Sequence, residues 1–434
     1  MLLAAAIFAF ACGSSSLASV TRAGRPVRWA LLFCLLGVAV AWAGERRGRP
    51  RLPASTIGFG AGLGGLALVS TAWSVDPRLS FERAVTFAVL LATVGLLAHA
   101  SAGEPAAGER LLFGIVGGAA AVALAGLVVL AVRHSAAVEA ATRDLPARYQ
   151  GLGQNPNTAP LLLAPALPLC VWLLVRAPAR RVKWSLAAAA LLFDGSIIAS
   201  GSRGALIAGF VGIALVVLLS PWRLAVRVAL LAATVAALGA SIAIALAPKS
   251  AGASWRPPPR VGPAPPGSHP KPGFVDVEGA FPRDSDIGVQ LGQSKQVPRT
   301  LFGLTGRGEA WRGAIDLGDE RPVLGYAFGT EGRVFVDRWV NFVGGLPENS
   351  YIGMYLQLGV VGLALLVALA ASLVVAALRR AGRWEVAGPL AALVAGLVLA
   401  VVQSYLYSVG DIATLAVWTA AFVAAATPHR GGVG

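Results

Sequence analysis

Four polar clusters interrupt long apolar runs, and one of them sets an acid at the start of a long apolar helix. In "GLPENSYIGMYLQLGVVGLALL" (345–366), Glu348 and Asn349 stand where a long apolar helix begins. An acid there suits the free N–H groups and the positive end of the helix dipole. The same carboxylate at the mouth of a pocket suits proton abstraction, and the two roles are compatible. In "GSRGAL", Ser202 and Arg203 form a tight turn between two apolar runs. Arg203 either extends its head to the membrane interface or grips a phosphate with its planar fork, which Lys does less well. In "TGRGEAW", Arg307 opens an amphipathic segment. Helix N-termini and glycine-flanked amides attract anions; the alternative for Arg307 is a solvated surface charge. In "GLGQNPNTAPLLLAPALPL", Asn155 and Asn157 either cap an apolar run, which Pro165 and Pro168 are expected to bend, or hydrogen-bond sugar hydroxyls.

One carboxylate, two arginines and several amides suit group transfer from a lipid-linked phosphate donor. The arginines hold a diphosphate and stabilise it as leaving group. The carboxylate takes the proton of the attacking hydroxyl. No acidic cluster points to a bound divalent ion, so the expected reaction needs no metal and no cofactor. Asp194, within an apolar run, lies nine residues before Arg203, too far for a direct pair on one straight helix. It is expected to be structural or to support the site from behind.

The elements that position these residues follow from composition. Of 434 residues, 56% are hydrophobic and 13% charged, with mean hydropathy +0.70. The apolar residues fall in runs long enough to cross a bilayer, so the expected fold is an all-α polytopic membrane protein. About twelve spans are expected, near 2–20, 27–44, 54–72, 82–102, 109–132, 158–176, 184–201, 204–221, 226–247, 349–378, 386–405 and 409–427. The net charge of +15 comes mostly from arginines in short loops. With no aromatic-rich basic groove it does not indicate nucleic acid; contact with anionic lipid or a diphosphate fits it better. Cys12, Cys34 and Cys170 all lie in apolar runs, which argues against a disulfide framework or thiolate metal site, and His99, His134, His269 and His429 show no ligand spacing. The first run lacks a basic lead and a clear cleavage site, and is expected to be a retained helix.

With the N-terminus in the cytoplasm, the inner short loops hold fifteen Lys and Arg against nine outside. The positive-inside bias thus favours cytoplasmic termini. The chain then divides into an N-terminal bundle (1–247, about nine helices), an external loop (248–348) and C-terminal membrane helices (349–434). The first part of the loop, "SWRPPPRVGPAPPGSHPKPG", is Pro-rich and expected to be extended or mobile. "TGRGEAWRGAIDLG" predicts a short surface helix stopped by Gly318, and "PVLGYAFGTEG" a turn-rich connection. "GFGAGLGG" (58–65) lies inside a span, where close helix packing explains it better than phosphate binding.

Order and spacing resemble the superfamily of bacterial O-antigen ligases and Wzy-type O-antigen polymerases. The shared features are about twelve spans, one large external loop before the last three, "GSRGAL" before a span and "TGR" followed by Trp. "WSVDPRLSFERA" (73–84) also resembles an early segment of these proteins. In the ligases the helix after the loop opens His-Asn, then nine residues, Gly, two residues, Gly. Here Asn349 is followed by Gly359 and Gly362 at that spacing, and Glu348 replaces the His. The resemblance implies a GT-C-like fold at the outer face of the bacterial cytoplasmic membrane. It implies an undecaprenyl-diphosphate-linked glycan as donor, a sugar hydroxyl as acceptor, and neither nucleotide sugar nor metal. Arg203 and Arg307 would bind diphosphate, and Glu348 would stand in for the proposed catalytic His. Polymerases of the superfamily vary more at this position than ligases, which favours a polysaccharide polymerase. The alternatives are an O-antigen ligase acting on a lipid core, and a lipid-linked glycan transporter or flippase. A transporter should show internal repeats and ionisable groups near the bilayer midplane; no clear repeat is visible, and the polar clusters gather toward one face.

Overall fold

A computed structural model describes residues 1–45, 52–102, 104–140, 147–246, 307–335, 347–380 and 384–426. The Pro-rich part of the long loop lies outside the described residues. The fold is helical: α1 (Leu2–Gly13), α2 (Ala18–Glu45), α3 (Ala54–Val69), α4 (Pro77–Ser101), α5 (Pro105–Val132), α6 (His134–Ala137), α7 (Thr158–Arg176), α8 (Arg180–Ser200), α9 (Arg203–Leu219) and α10 (Leu224–Leu246) precede the gap. After it come α11 (Arg307–Gly318), α12 (Glu331–Val334), α13 (Ser350–Arg380), α14 (Ala387–Leu399) and α15 (Thr414–Ala426). One small antiparallel pair joins Val138–Glu139 to Arg148–Tyr149.

Among the described residues, eight helices are long and apolar enough to cross a membrane; α1, α9, α14 and α15 are apolar but shorter. At 1.5 Å per residue, the 13 residues of α14 or α15 reach about 20 Å, against a hydrocarbon core of about 30 Å. The core gathers around α7, α14 and α15, whose residues are almost all buried. The outer helices α2 and α10 instead expose Phe33, Val38, Val40, Val228, Val235 and Ile244, as a surface that meets lipid tails does.

The structure departs from several expected boundaries, each for a local reason. The basic segment "TRAGRPVR", expected as a loop, is helical within α2 and includes Pro26. The Ser15 hydroxyl accepts from the Leu17 amide, and Thr21 Oγ1 donates to the Ser15 carbonyl at 2.6 Å, so the turn is made before Ala18. Helix α4 starts at Pro77, because Asp76 accepts from the Leu79 amide and Pro suits a first turn. In the glycine run, a Cβ on Gly62 would lie 3.5 Å from Leu365 and one on Gly64 3.8 Å from Ala88. Those are ordinary contacts, so α3 packs less tightly there than the glycines led us to expect.

In place of the last two expected spans, 386–405 and 409–427, the helices stop at Leu399 and resume at Thr414, and residues 400–413 between them are irregular and half of them buried. Backbone of this kind is tolerated at depth only when protein groups satisfy it. The Ser350 hydroxyl donates to the Gln403 carbonyl and accepts from the Tyr405 and Leu406 amides. Trp418 Nε1 donates to the Leu406 carbonyl, and Thr414 Oγ1 to the carbonyls of Tyr405 and Ser408.

Helix α13 is broken at Gly359, whose φ is +61°. There the Val360 amide turns from its own helix to the Pro322 carbonyl, while the freed Leu356 carbonyl accepts from Tyr326 N–H. A Cβ on Gly359 would overlap the Val323 peptide. The glycine noted for its spacing is therefore the point where the turn-rich segment 319–330 inserts into the helix ladder.

Candidate active site

Several helix ends meet at one end of the bundle: the N-termini of α4, α7, α9 and α13 and the C-termini of α8 and α14. Gly201, with φ +64°, closes α8 through its amide to the Ile198 carbonyl, and α9 begins two residues later. This is the tight turn expected at "GSRG". Ser202 stands at the N-cap of α9, its amide bonded to the Ser200 hydroxyl. The start of α9, with Arg203, packs against the end of α14, where Gly204 faces Leu399 and Val402.

Asn155 and Asn157 sit beside this turn, hydrogen-bonded within the protein. The Asn155 carbonyl oxygen Oδ1 accepts from the Asn157 amide and from the Thr158 hydroxyl. Asn157 occupies the N-cap position of α7 without a cap bond from its side chain. Its Oδ1 instead accepts from Arg148 Nη2 at 3.0 Å, and Arg148 Nε donates to the Ser200 carbonyl at 2.7 Å. Arg148 thus staples the start of α7 to the end of α8. Sequence reading missed it because its partners lie up to 52 residues away.

The second group forms around Glu348. Helix α11 runs from Arg307 to Gly318, as expected, and packs against α13 through Ala310, Ala314 and Leu356. This brings Arg307 to Glu348: Nε donates to Oε2 at 2.6 Å, and Nη2 contacts the same oxygen. Both side chains are about one-fifth exposed, so the pair is reachable from outside. Glu348 has φ +48°, which an L-residue adopts rarely outside functional or tightly held sites. It is not the cap of α13. That role belongs to Asn349, whose Oδ1 accepts from the Tyr351 and Ile352 amides at 2.9 and 3.1 Å. The Asn349 amide donates to Ser404 Oγ at 3.0 Å. Asn349→Ala is expected to lower stability by about 1 kcal/mol, the usual worth of such a cap, measured as a lower midpoint of thermal unfolding.

The two groups meet across residues 399–404, with Val402 against Gly204 on one side and Gln403 and Ser404 bonded to Ser350 and Asn349 on the other. Asp194 does not join them. It lies within α8 and makes no ion pair with the described residues.

A second carboxylate stands behind Asn349. Glu331, in the "GTEG" stretch, is 4% exposed. Its Oε2 accepts from the Tyr407 hydroxyl at 2.5 Å and from Gln357 Nε2 at 3.1 Å. Gln357 Oε1 accepts from the Gly329 amide, and Arg83 Nη1 donates to the Gly329 carbonyl at 2.6 Å. Burial pushes the Glu331 carboxyl up to about 7, against the opposing effects of the Tyr407 bond, the Arg83 charge and the Gln357 bond. Gly353 leaves room for this cluster, since a Cβ there would overlap the Tyr407 hydroxyl and lie 2.7 Å from Glu331 Oε2. The "WSVDPRLSFERA" segment and the helix it opens support the same stretch: Asp76, at the cap of α4, pairs with Arg333 at 3.3 Å, and Phe87 within α4 stacks on Phe328. The only sequence signal for Glu331 was an acid set between glycines in a segment otherwise read as turns.

Fold and site together define a polytopic membrane protein with an ion-paired carboxylate and arginines gathered at one end of its helices. Residues 187–367 match the family model described as O-antigen ligase, a segment running from within α8 to the middle of α13. The match supports a place in the O-antigen ligase/polymerase superfamily, and so a membrane glycosyltransferase of ligase or polymerase type. The matched segment holds Arg203, Arg307, Glu331, Glu348, Asn349 and Gln357. No curated protein matches the chain.

Proposed function

We propose that this protein lengthens a polysaccharide at the outer face of the bacterial cytoplasmic membrane. The donor is a glycan on undecaprenyl diphosphate, and the acceptor a sugar hydroxyl on a second lipid-linked glycan. In this reading Arg307 and Arg203 hold the diphosphate. The incoming phosphates draw Arg307 away from Glu348, and the freed carboxylate takes the acceptor's hydroxyl proton. The acceptor oxygen then bonds to the donor's anomeric carbon. The bond from that carbon to the phosphate oxygen breaks, and its electron pair leaves with undecaprenyl diphosphate. Charge on the leaving group is balanced by the arginines that hold the diphosphate once it is bound. The reaction so drawn uses no metal.

The observation that supports this reading is the Arg307–Glu348 pair, a cation and a base held together and partly exposed at the start of α13. Glu348 in place of the ligase His favours the polymerase over transfer to a lipid core. Both termini lie in the cytoplasm in this arrangement, following the arginine bias of the short loops.

The test uses the full chain in detergent with an undecaprenyl-diphosphate oligosaccharide, EDTA present, and products resolved by mass. A ladder of longer lipid-linked glycans is the expected result. A single transfer, made only when a lipid core is supplied, would make the protein a ligase. No transfer under either condition, with movement of the lipid-linked glycan across vesicles, would replace this reading with a transporter.

A further inference from the structure

The buried carboxylate behind Asn349 has no part in the reaction as drawn, yet a line of polar groups leads to it from Asn349. The Asn349 amide donates to Ser404 Oγ, the Tyr407 hydroxyl donates to Glu331 Oε2, and the Ser404 side chain adjoins the Tyr407 hydroxyl. Gln357 closes it from the other side, gripping Glu331 with its amide nitrogen and the Gly329 N–H with its oxygen. The run begins at the peptide that joins Asn349 to Glu348, the residue held at positive φ against Arg307.

We infer that Glu331 is a positioning residue for the transfer site, holding the Glu348–Asn349 peptide in place through Tyr407 and Ser404. The inference rests on the reading of Glu348 as the base. It assigns to the "GTEG" stretch a role beyond turning the chain: the segment carries the anchor that keeps the base at its unusual backbone angle. Buried polar groups arranged in this way depend on one another, and losing one link is costly.

The groups that face Glu331 are few among the described residues. Arg83 comes from α4, Gln357 from α13 and Tyr407 from the 400–413 segment; Arg333, on the same short helix, is engaged by Asp76. The sign of the pH dependence follows. A carboxyl whose folded value is raised keeps its stabilising contribution at low pH and loses it as pH rises toward that value. Any local opening that lets water reach Glu331 therefore becomes easier between about pH 4.5 and pH 7, and levels off above. If Asn349 opens with Glu331, its amide carries the same step.

The experiment is hydrogen exchange by mass spectrometry on the full-length protein in detergent, corrected for intrinsic rates, from pH 4.5 to 9. For the wild type, the opening constant at Asn349 should rise by about two decades up to pH 7 and then flatten. Glu331→Gln keeps the shape and removes the titration, so the step should vanish at both Asn349 and Gly329. Tyr407→Phe cuts the run while leaving the ring in place. It should remove the step at Asn349 and leave it at Gly329, whose amide is tied to Gln357. A wild-type Asn349 amide with no step, or one that keeps its step in Tyr407→Phe, overturns the inference. Because exchange needs no donor, this result stands apart from the transfer assay. If wild type elongates the undecaprenyl-diphosphate oligosaccharide, Tyr407→Phe should lower kcat at least tenfold with KM unchanged. An unchanged kcat would show that the run does not serve the site.

Discussion

Glu348→Gln is expected to lower kcat for elongation of an undecaprenyl-diphosphate oligosaccharide by about 10²–10⁴-fold, the range a positioned general base contributes. The substitution is nearly isosteric. Gln keeps an oxygen that can accept from Arg307, and the backbone at positive φ is held from neighbouring residues, by Asn349 N–H on Ser404 and Ser350 N–H on the Ala400 carbonyl. What Gln lacks is the ability to take a proton. Loss of the ion pair should cost no more than about 1 kcal/mol, because a partly exposed pair is screened by water and salt. Unfolding midpoint and donor binding should thus stay close to wild type while turnover collapses. A Gln variant that elongates at the wild-type rate would reduce Glu348 to a partner for Arg307 and remove the proposed base.

Arg307→Ala is expected to cost about 10²–10³-fold in kcat, comparable to removing one preorganised donor aimed at developing charge. Its effect should differ in kind from that of Glu348→Gln. Arg307 meets Glu348 with Nε and Nη2, so both the resting pair and the grip on a diphosphate depend on its planar fork. Arg307→Lys restores the charge without the fork, and should recover only part of the loss. Steady-state kinetics with the same donor, together with donor binding in the absence of acceptor, separates the two variants. Glu348→Gln binds donor and stalls, whereas Arg307→Ala binds it weakly and turns over slowly. Equal donor affinity in wild type and Arg307→Ala would remove Arg307 from the phosphate site.

The parts of this molecule that could be read in advance are those governed by short-range pattern. Long apolar runs can only be helices if they enter lipid, since each backbone group must then find a partner within its own segment. "GSRG" had to turn because Gly201 tolerates φ +64° between two such runs. "RGEAWRGAIDLG" became a helix ending at Gly318 as its pattern indicated. Glu348 and Asn349 were placed correctly at the head of α13, but of the two roles open to Glu348 the cap falls to Asn349, while the acid pairs with Arg307. Either side chain can accept from a free N–H, so residue type could not choose between them. The choice came from α11, which docks on α13 and delivers a guanidinium to Glu348.

The failures share a cause. Residues 400–413 are apolar enough to continue α14 or to begin α15 early, and hydropathy had no means of stopping them. What stops them is a set of side chains distant in the chain, Ser350 above all, which supply the bonds a helix would have supplied. The Glu331 cluster is of the same nature. Tyr407 is 76 residues from Glu331 and Gln357 is 26, and a lone acid between glycines reads as a turn until those two side chains surround it. Composition and periodicity were sufficient to make the chain a membrane bundle and to assign its polar residues to helix ends, because hydrophobic burial and backbone satisfaction act residue by residue. Which polar groups meet, and which carboxylate is exposed beside an arginine and which is buried beside a tyrosine, was set by how the helix ends pack together, because those pairings join positions that no local pattern connects.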